Sequence, residues 1–189
     1  MGSSIETFHH TLPVLDETAP DFTAKSTHGE ITLNQYTSQG KYVMLFSHPS
    51  ECTPICTTEF VEFARRIGEF EYLNVQLIGV STDSLHSHNA WMRDIEDFSG
   101  VKIRFPVVAD LDQKISQQYG IVRCASSNTS AVRAVFAIDP KQRVRVILYY
   151  PMQLGRNVDE LLRVFNALQV VDCNGVSRQV DRLLEEQVI

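Results

Sequence analysis

The sequence contains no long apolar run and no cluster of basic residues. None of its segments approaches the roughly 20 apolar residues that are needed to span a bilayer, and its first residues combine neither a basic start nor an apolar stretch. The formal net charge of -6 gives the surface no excess of positive charge for binding phosphates. We therefore expect a cytoplasmic protein that binds neither membranes nor nucleic acid.

Cysteine is also scarce. The four cysteines, Cys52, Cys56, Cys124 and Cys173, are too few and too scattered to form a disulfide scaffold. No two of them have the Cys-x-x-Cys spacing that is typical of thiol–disulfide oxidoreductases. Each cysteine is therefore expected to act chemically as a single thiol or to pack as a small apolar side chain.

Histidine gives a weaker signal for a metal site. His48 lies near Cys52 and Cys56 at a ligand-like spacing, but this segment has no second pair of ligands. His86 and His88 lie among serine and asparagine residues, where we expect solvated side chains at the start of a helix. The sequence therefore predicts no metal site and no cofactor.

Apolar patterns predict one α/β domain without internal repeats or flexible linkers. Short β-branched runs indicate five strands, at 42–46, 75–80, 105–109, 134–138 and 144–150. Apolar residues at three- and four-residue spacing indicate helices at 60–70, 90–98, 111–119 and 158–168. Because only a short turn with Pro140 separates the last two strands, we predict a mixed sheet with a hairpin at one edge.

The predicted helix at 158–168 has a recognisable start signal, and a further helix is indicated after it. Asn157 can cap the helix that follows it, and Glu160 can reach back to complete a capping box. A final amphipathic stretch predicts a short C-terminal helix that packs on the body or on a partner subunit. Its apolar residues are Val176, Val180, Leu183 and Leu184.

The segment 46–59, which joins the first strong strand to the next helix, carries the chemistry. Thr53 is a favoured N-cap and Pro54 suits the first helical position, so Cys56 falls in the first turn. Free backbone N–H groups and the helix dipole stabilise an anion there, which favours the nucleophilic thiolate. On this pattern alone, a reactive Cys56 and a buried, inert one are equally good interpretations.

The residues around Cys56 resemble the active-site signature of the peroxiredoxin family. Pro49-x-x-x-Thr53-x-x-Cys56 lies within FSHPSECTPICTTE, which is similar to the 1-Cys-type branch. The segments RAVFAIDP from Arg133, YP followed by GRNVDELLR, and APDF near the start resemble further signatures, so the likeness extends over residues 14–170. The resemblance implies a thioredoxin-like fold with a mixed central sheet, a peroxiredoxin-type N-terminal extension and a thiol-dependent peroxidase activity.

The resemblance also implies roles for individual residues. Cys56 is the peroxidatic cysteine, which attacks a peroxide oxygen and becomes a sulfenic acid. Thr53 forms a hydrogen bond within the site, Arg133 holds the thiolate and polarises the peroxide, and Pro49 shields the thiolate from water. Three further residues occupy family-like positions around the pocket: His48, Glu59 and Arg156.

The sequence leaves open which thiol reduces the sulfenic acid. Cys173 and Cys124 are candidate resolving cysteines, and an external thiol of the thioredoxin, glutaredoxin or glutathione type is an equal alternative. Cys52 is close to Cys56 in sequence, but it stands where the family commonly has an apolar residue, which favours packing. The implied substrates are hydrogen peroxide and small organic hydroperoxides, without metal, haem or flavin.

The same resemblance predicts the domain organisation. A thioredoxin-like peroxiredoxin domain is expected over residues 1–170 and a short C-terminal extension over 171–189, where the 1-Cys branch usually carries a longer arm. A homodimer is the default assembly, although the usual arm contacts between subunits are in doubt. A redox-sensing or chaperone-like interaction module is the alternative function, and it would not require Thr53 and Arg133 together.

Overall fold

The computed structural model describes residues 12–49, 51, 53–122 and 132–175. In these ranges a single mixed sheet forms the centre of the fold. Its strands are β1 (Thr23–Ser26), β2 (Gly29–Thr32), β3 (Tyr42–Ser47), β4 (Val75–Ser81), β5 (Val107–Ala109), β6 (Arg133–Ile138) and β7 (Val144–Tyr150).

The sheet has the strand order β2-β1-β5-β4-β3-β6-β7. β4 pairs in parallel with β3 on one side and with β5 on the other, and the remaining neighbours are antiparallel. β6 and β7 form the predicted hairpin at one edge of the sheet. The prediction of a mixed sheet is therefore confirmed.

Helices cover both faces of the sheet. They are α1 (Asn34–Thr37), α2 (Pro54–Arg65), α3 (Ile67–Tyr72), α4 (Leu85–Ser99), α5 (Lys114–Gln118) and α6 (Val158–Asn174). Residues of α2, α3, α4 and α6 belong to the core cluster on one face, whereas α5 and the β1–β2 hairpin contribute to the cluster on the other. Among the described residues no helix is long and apolar enough to cross a membrane.

The apolar run of β3 is explained by burial on both sides. Met44 and Phe46 pack into the first cluster, and Val43 and Leu45, which point the other way, pack into the second. A central strand that is covered on both faces reads as a continuous apolar run rather than an alternating one. Ser47, the last residue of β3, is also fully buried.

Several details differ from the predicted elements. Helix α5, Lys114–Gln118, is shorter than the predicted helix over 111–119. The hairpin of β1 and β2 was not predicted, because its strands are short and mostly polar and only Gly29, at φ +90, signals the turn. The predicted helix over 60–70 is two helices that are separated at Arg66, whose φ of -100 and ψ of 12 depart from helical values. β5 begins only after Pro106, which has no N–H for a strand ladder.

Helix α6 has the predicted cap but not the full capping box. The side chain of Asn157 accepts a hydrogen bond from the backbone N–H of Glu160 at 3.1 Å, whereas the Glu160 carboxylate accepts hydrogen bonds from Arg163. The helix continues through residue 170, where the domain was predicted to end, as far as Asn174. The C-terminal helix that was predicted after Gly175 lies outside the described residues.

Candidate active site

Cys56 lies in the first turn of α2, as the sequence predicts. Thr53 is the N-cap with an extended backbone, and its hydroxyl oxygen accepts a hydrogen bond from the backbone N–H of Cys56 at 3.3 Å. Pro54 occupies the first helical position. The sulfur of Cys56 therefore lies at the positive end of a twelve-residue helix.

A buried arginine contacts this sulfur. Arg133 is the first residue of β6, and its Nη1 lies 3.3 Å from Sγ of Cys56. Its Nε donates a hydrogen bond to the carbonyl oxygen of Met152 at 3.0 Å, which fixes the plane of the guanidinium. The antiparallel pairing of β3 with β6 brings the start of β6 beside the end of β3, and thus Arg133 beside Cys56.

One carboxylate is shared by two guanidinium groups next to the sulfur. Glu59, one helical turn after Cys56, accepts hydrogen bonds from Arg133 Nη1 at 2.6 Å and from Arg156 Nε and Nη2 at 2.9 and 2.8 Å. All three side chains are buried. Two cations and one anion leave one unit of positive charge in excess beside the sulfur of Cys56.

Arg156 is a buried residue and not the surface basic residue that a loop position would suggest. Its Nη1 donates hydrogen bonds to the carbonyl oxygens of Ser47 at 2.9 Å and Ala134 at 3.2 Å. Its guanidinium also lies over the rings of Phe46 and Phe63, at 5.1 and 5.6 Å from their centroids. Arg156 therefore ties the ends of β3 and β6 to helix α2.

Ser47 is a site residue that the sequence reasoning missed. Its hydroxyl donates a hydrogen bond to the carbonyl oxygen of Val132 at 2.6 Å and accepts one from the backbone N–H of Ala134 at 2.9 Å. These two residues flank Arg133 in the chain. The only signal in the sequence is a hydroxyl residue at the end of an otherwise apolar strand.

The sulfur is enclosed by the protein. Cys56 has 0% of its surface exposed. Pro49, in the loop after β3, is partly exposed. The shielding role of Pro49 remains a prediction.

His48 is also fully buried. Its ring packs against Phe60 and Trp91, at centroid distances of 5.0 and 5.3 Å. Burial first, and then the nearby His88, Arg156 and Arg133, hold the pKa of His48 well below its usual value. The imidazole is therefore neutral at physiological pH.

The expectation that His86 and His88 are both solvated is wrong for His88. His86 is exposed, but His88 is fully buried, and its Nδ1 contacts the carboxylate of Glu51. Helix α4 buries His88, Trp91 and Ile95, which lie three and four residues apart on one face. The polar composition of the segment concealed this periodicity.

Cys173 lies far from Cys56 within its own chain. It is exposed in the last turn of α6, beside Asp172, whose carboxylate contacts Tyr42 at the start of β3 and Arg145 at the start of β7. Cys56 follows the opposite end of β3, at Ser47. The length of this six-residue strand, roughly 17 Å, therefore separates Cys173 from Cys56. The candidates Cys52 and Cys124 lie outside the described residues.

Comparisons with known proteins all indicate one family. Residues 15–147 match the model of the AhpC/TSA family. The chain is 52% identical over 159 residues to peroxiredoxin 2 of Picrophilus torridus, covering 84% of this chain and 77% of that one. It is 45% identical over 177 residues to a peroxiredoxin of Aquifex aeolicus, covering 94% and 79%.

Solved structures give the same result for the fold. A yeast mitochondrial 1-Cys peroxiredoxin, whose thiol is resolved via glutathione/thioredoxin systems, superimposes with a TM-score of 0.86 at 36% identity, covering 93% of this chain and 85% of that one. Peroxiredoxin 6 of Arenicola marina superimposes with a TM-score of 0.84 at 31% identity, covering 92% and 81%. The thioredoxin-like fold that the sequence implied is therefore confirmed.

Proposed function

Because this chain belongs to the AhpC/TSA family and is a thiol-dependent peroxidase of the peroxiredoxin type, we propose that Cys56 is the sulfur that attacks the peroxide. The observation that carries the proposal is the contact of 3.3 Å between Cys56 Sγ and Arg133 Nη1 at the start of α2. A helix N-terminus and a permanently charged guanidinium both favour the thiolate over the thiol.

The proposed reaction is a displacement at oxygen. The thiolate of Cys56 attacks the nearer peroxide oxygen, a sulfur–oxygen bond forms and the oxygen–oxygen bond breaks. The sulfur is oxidised to a sulfenic acid, and the leaving oxygen takes up a proton to become water or an alcohol. Arg133 stabilises the negative charge as it moves from sulfur to the leaving oxygen, because a fixed guanidinium needs no reorganisation during the reaction.

The other side chains act by position in this proposal. Thr53 holds the first turn of α2 and provides a hydroxyl within the site, while Pro49 limits the access of water. Glu59 and Arg156 keep Arg133 in place, because the Glu59 carboxylate is shared between both guanidinium groups. His48 contributes a neutral ring that packs against Phe60 and Trp91 beside the site.

We propose hydrogen peroxide and small organic hydroperoxides as substrates and an external thiol as the reductant of the sulfenic acid. The enclosed sulfur supports small substrates. The distance from Cys56 to Cys173 supports an external reductant, since a disulfide requires Cα atoms within about 7 Å. Thioredoxin, glutaredoxin or glutathione are the proposed types of reductant.

We propose a homodimer in the cytoplasm. β7 is an edge strand of the described sheet, and the exposed apolar side chains of Met152 and Leu154 follow it, which together offer a surface for a second copy. Both described cysteines are free thiols, which agrees with a reducing compartment. Sedimentation of the reduced protein measures the assembly.

Arg133→Ala tests the proposed chemistry. We expect peroxide consumption to slow roughly 100- to 1,000-fold, because the loss of one preorganised donor that stabilises transition-state charge has an effect of this size. Arg65→Ala is the matched control, because Arg65 is an exposed arginine on the same helix as Cys56. Stopped-flow peroxide consumption measures both variants, and circular dichroism checks their folding.

The same variant separates the peroxidase from the alternative role as a sensing or chaperone-like module. That alternative does not depend on Arg133, whereas the family and its named relatives favour the peroxidase. Turnover by folded Arg133→Ala at the rate of the unmodified protein would contradict the proposed role of Arg133.

A further inference from the structure

Two imidazoles and one carboxylate converge beside the active site. His48, Glu51 and His88 each offer a ligand atom, and these three atoms lie within 4.8 Å of one another. All three residues are buried. They come from the end of β3, from the loop before α2 and from α4, so the fold rather than a local motif brings them together.

His48 supplies a second, independent observation. Within the part of the chain that the structure describes, neither of its ring nitrogens has a hydrogen-bond partner, although the side chain is fully buried. Buried polar atoms without a partner are rare and require a physical explanation. A bound cation is one such explanation, because a neutral imidazole nitrogen has a lone pair to donate.

His88 is oriented as metal-binding histidines usually are. Its Nε2 lies 3.2 Å from the carbonyl oxygen of Val108, a position suited to N–H donation, which leaves Nδ1 directed at the cluster. A backbone carbonyl commonly fixes the ring of a metal-binding histidine in this way. The other oxygen of Glu51 accepts a hydrogen bond from Ser87, which orients the carboxylate.

We propose that His48, Glu51 and His88 form a binding site for one divalent transition-metal ion. Two imidazole nitrogens, one carboxylate oxygen and a water molecule suit tetrahedral Zn²⁺ well, whereas Mg²⁺ and Ca²⁺ prefer oxygen ligands alone. Ligands of tetrahedral zinc lie roughly 3.3 Å apart, so small side-chain shifts complete the geometry. The ion joins α4 to the loop that carries Pro49 and precedes Thr53.

Zinc titration of the reduced full-length protein, with a competing chelator, tests this proposal. We expect one Zn²⁺ per chain, and Glu51→Gln and His88→Gln should each weaken binding by more than roughly 100-fold, beyond the effect of losing an outer contact. His86→Gln is the matched control, because His86 is an exposed histidine two residues from His88. It should bind zinc as tightly as the unmodified protein.

Cys56→Ser distinguishes this site from the reactive thiol, which is itself a potential zinc ligand. Binding that persists in Cys56→Ser, with an X-ray absorption spectrum that shows nitrogen and oxygen but no sulfur neighbours, supports the site. Three results overturn it: no stoichiometric binding, binding that is lost in Cys56→Ser, or equal binding by His88→Gln and the unmodified protein. If His88→Gln fails to fold by circular dichroism, Glu51→Gln decides.

Discussion

Cys56 receives its electrostatic environment from near and far in the sequence. The helix start at Thr53 and Pro54 lies within three residues of it, whereas Arg133 is 77 residues away. The first contribution depends on local backbone geometry and the second on strand pairing. Separate substitutions at Thr53 and around Arg133 therefore test the two contributions independently.

Replacing Thr53 tests the local contribution. Thr53→Val keeps the shape of the side chain but removes the oxygen that accepts from Cys56 N–H, so we expect a loss of about 1 kcal/mol in stability. We also expect peroxide consumption to slow roughly tenfold, as the loss of one hydrogen bond implies. Thr53→Ser retains the oxygen and should recover both the stability and the rate of peroxide consumption. Urea unfolding measures the first and stopped-flow kinetics the second.

Glu59 should contribute strongly to stability. Glu59→Gln removes the only negative charge that the described contacts place between Arg133 and Arg156, and leaves two buried cations side by side. We expect the free energy of unfolding to fall by about 3–5 kcal/mol. Urea unfolding measures the change, and a loss below about 1 kcal/mol would contradict the described charge arrangement.

The local part of the site could be predicted from sequence, and the distant part only by resemblance. A cap followed by proline defines the start of α2 without further information, which placed Cys56 in its first turn. The sharing of Glu59 between Arg133 and Arg156 depends on contacts across 74 and 97 residues. No spacing rule encodes such contacts, so only similarity to a known family indicated these arginines.

At the scale of elements, the pairing of β3 with β6 positions the site. Ser47, at the end of β3, bridges the backbone on both sides of Arg133, so the strand that carries the guanidinium is fixed where the helix begins. The Ser47 hydroxyl thus joins β3 to β6 in addition to the backbone hydrogen bonds between the two strands. This link was not predicted, because a terminal serine in an apolar run has many possible roles.

Removing the Ser47 hydroxyl should affect both stability and rate. Ser47→Ala leaves the buried Ala134 N–H without its hydroxyl partner, which costs about 1–3 kcal/mol, and should slow peroxide consumption because Arg133 is less well fixed. Ser26→Ala is the matched control, since Ser26 is also buried and also bridges backbone groups, but in the β1–β2 hairpin. It should lower stability without changing the rate.

Element boundaries were predicted well for long apolar segments and poorly for polar ones. β3, β4, β6 and β7 lie where β-branched runs indicate them. The first three are almost wholly buried, and β7 packs the half-buried Val146 and Leu148 against the core. The β1–β2 hairpin was missed, since only one residue in each of its strands is buried. The burial of His88 was missed because the serine and asparagine residues next to it in the sequence make the segment look solvated.

At the scale of the molecule, the length of β3 separates Cys56 from Cys173, the other cysteine that the structure describes. Cys173 lies at the opposite end of β3, held there by the contacts of Asp172 with Tyr42 and Arg145. Recycling within one chain through Cys173 would require α6 to leave these contacts. The fold therefore favours a reductant that approaches Cys56 from outside the chain.

Cys173→Ser tests this consequence of the architecture. We expect the variant and the unmodified protein to give the same yield of Cys56 sulfenic acid after one equivalent of peroxide, because Cys173 cannot reach Cys56 in its own chain. Peptide mapping by mass spectrometry under non-reducing conditions measures the products. An intrachain disulfide between Cys56 and Cys173 would contradict the expectation.

We propose that the start of α2 and Arg133 together make Cys56 the reactive thiol. The most direct measurement is the rate and position of oxidation when the reduced protein meets one equivalent of hydrogen peroxide, with the sulfenic acid trapped chemically and located by mass spectrometry. We predict oxidation at Cys56 far faster than that of a free cysteine, with Cys173 left as a thiol. Oxidation of Cys56 at the rate of an ordinary thiol, or first oxidation at another cysteine, would contradict it.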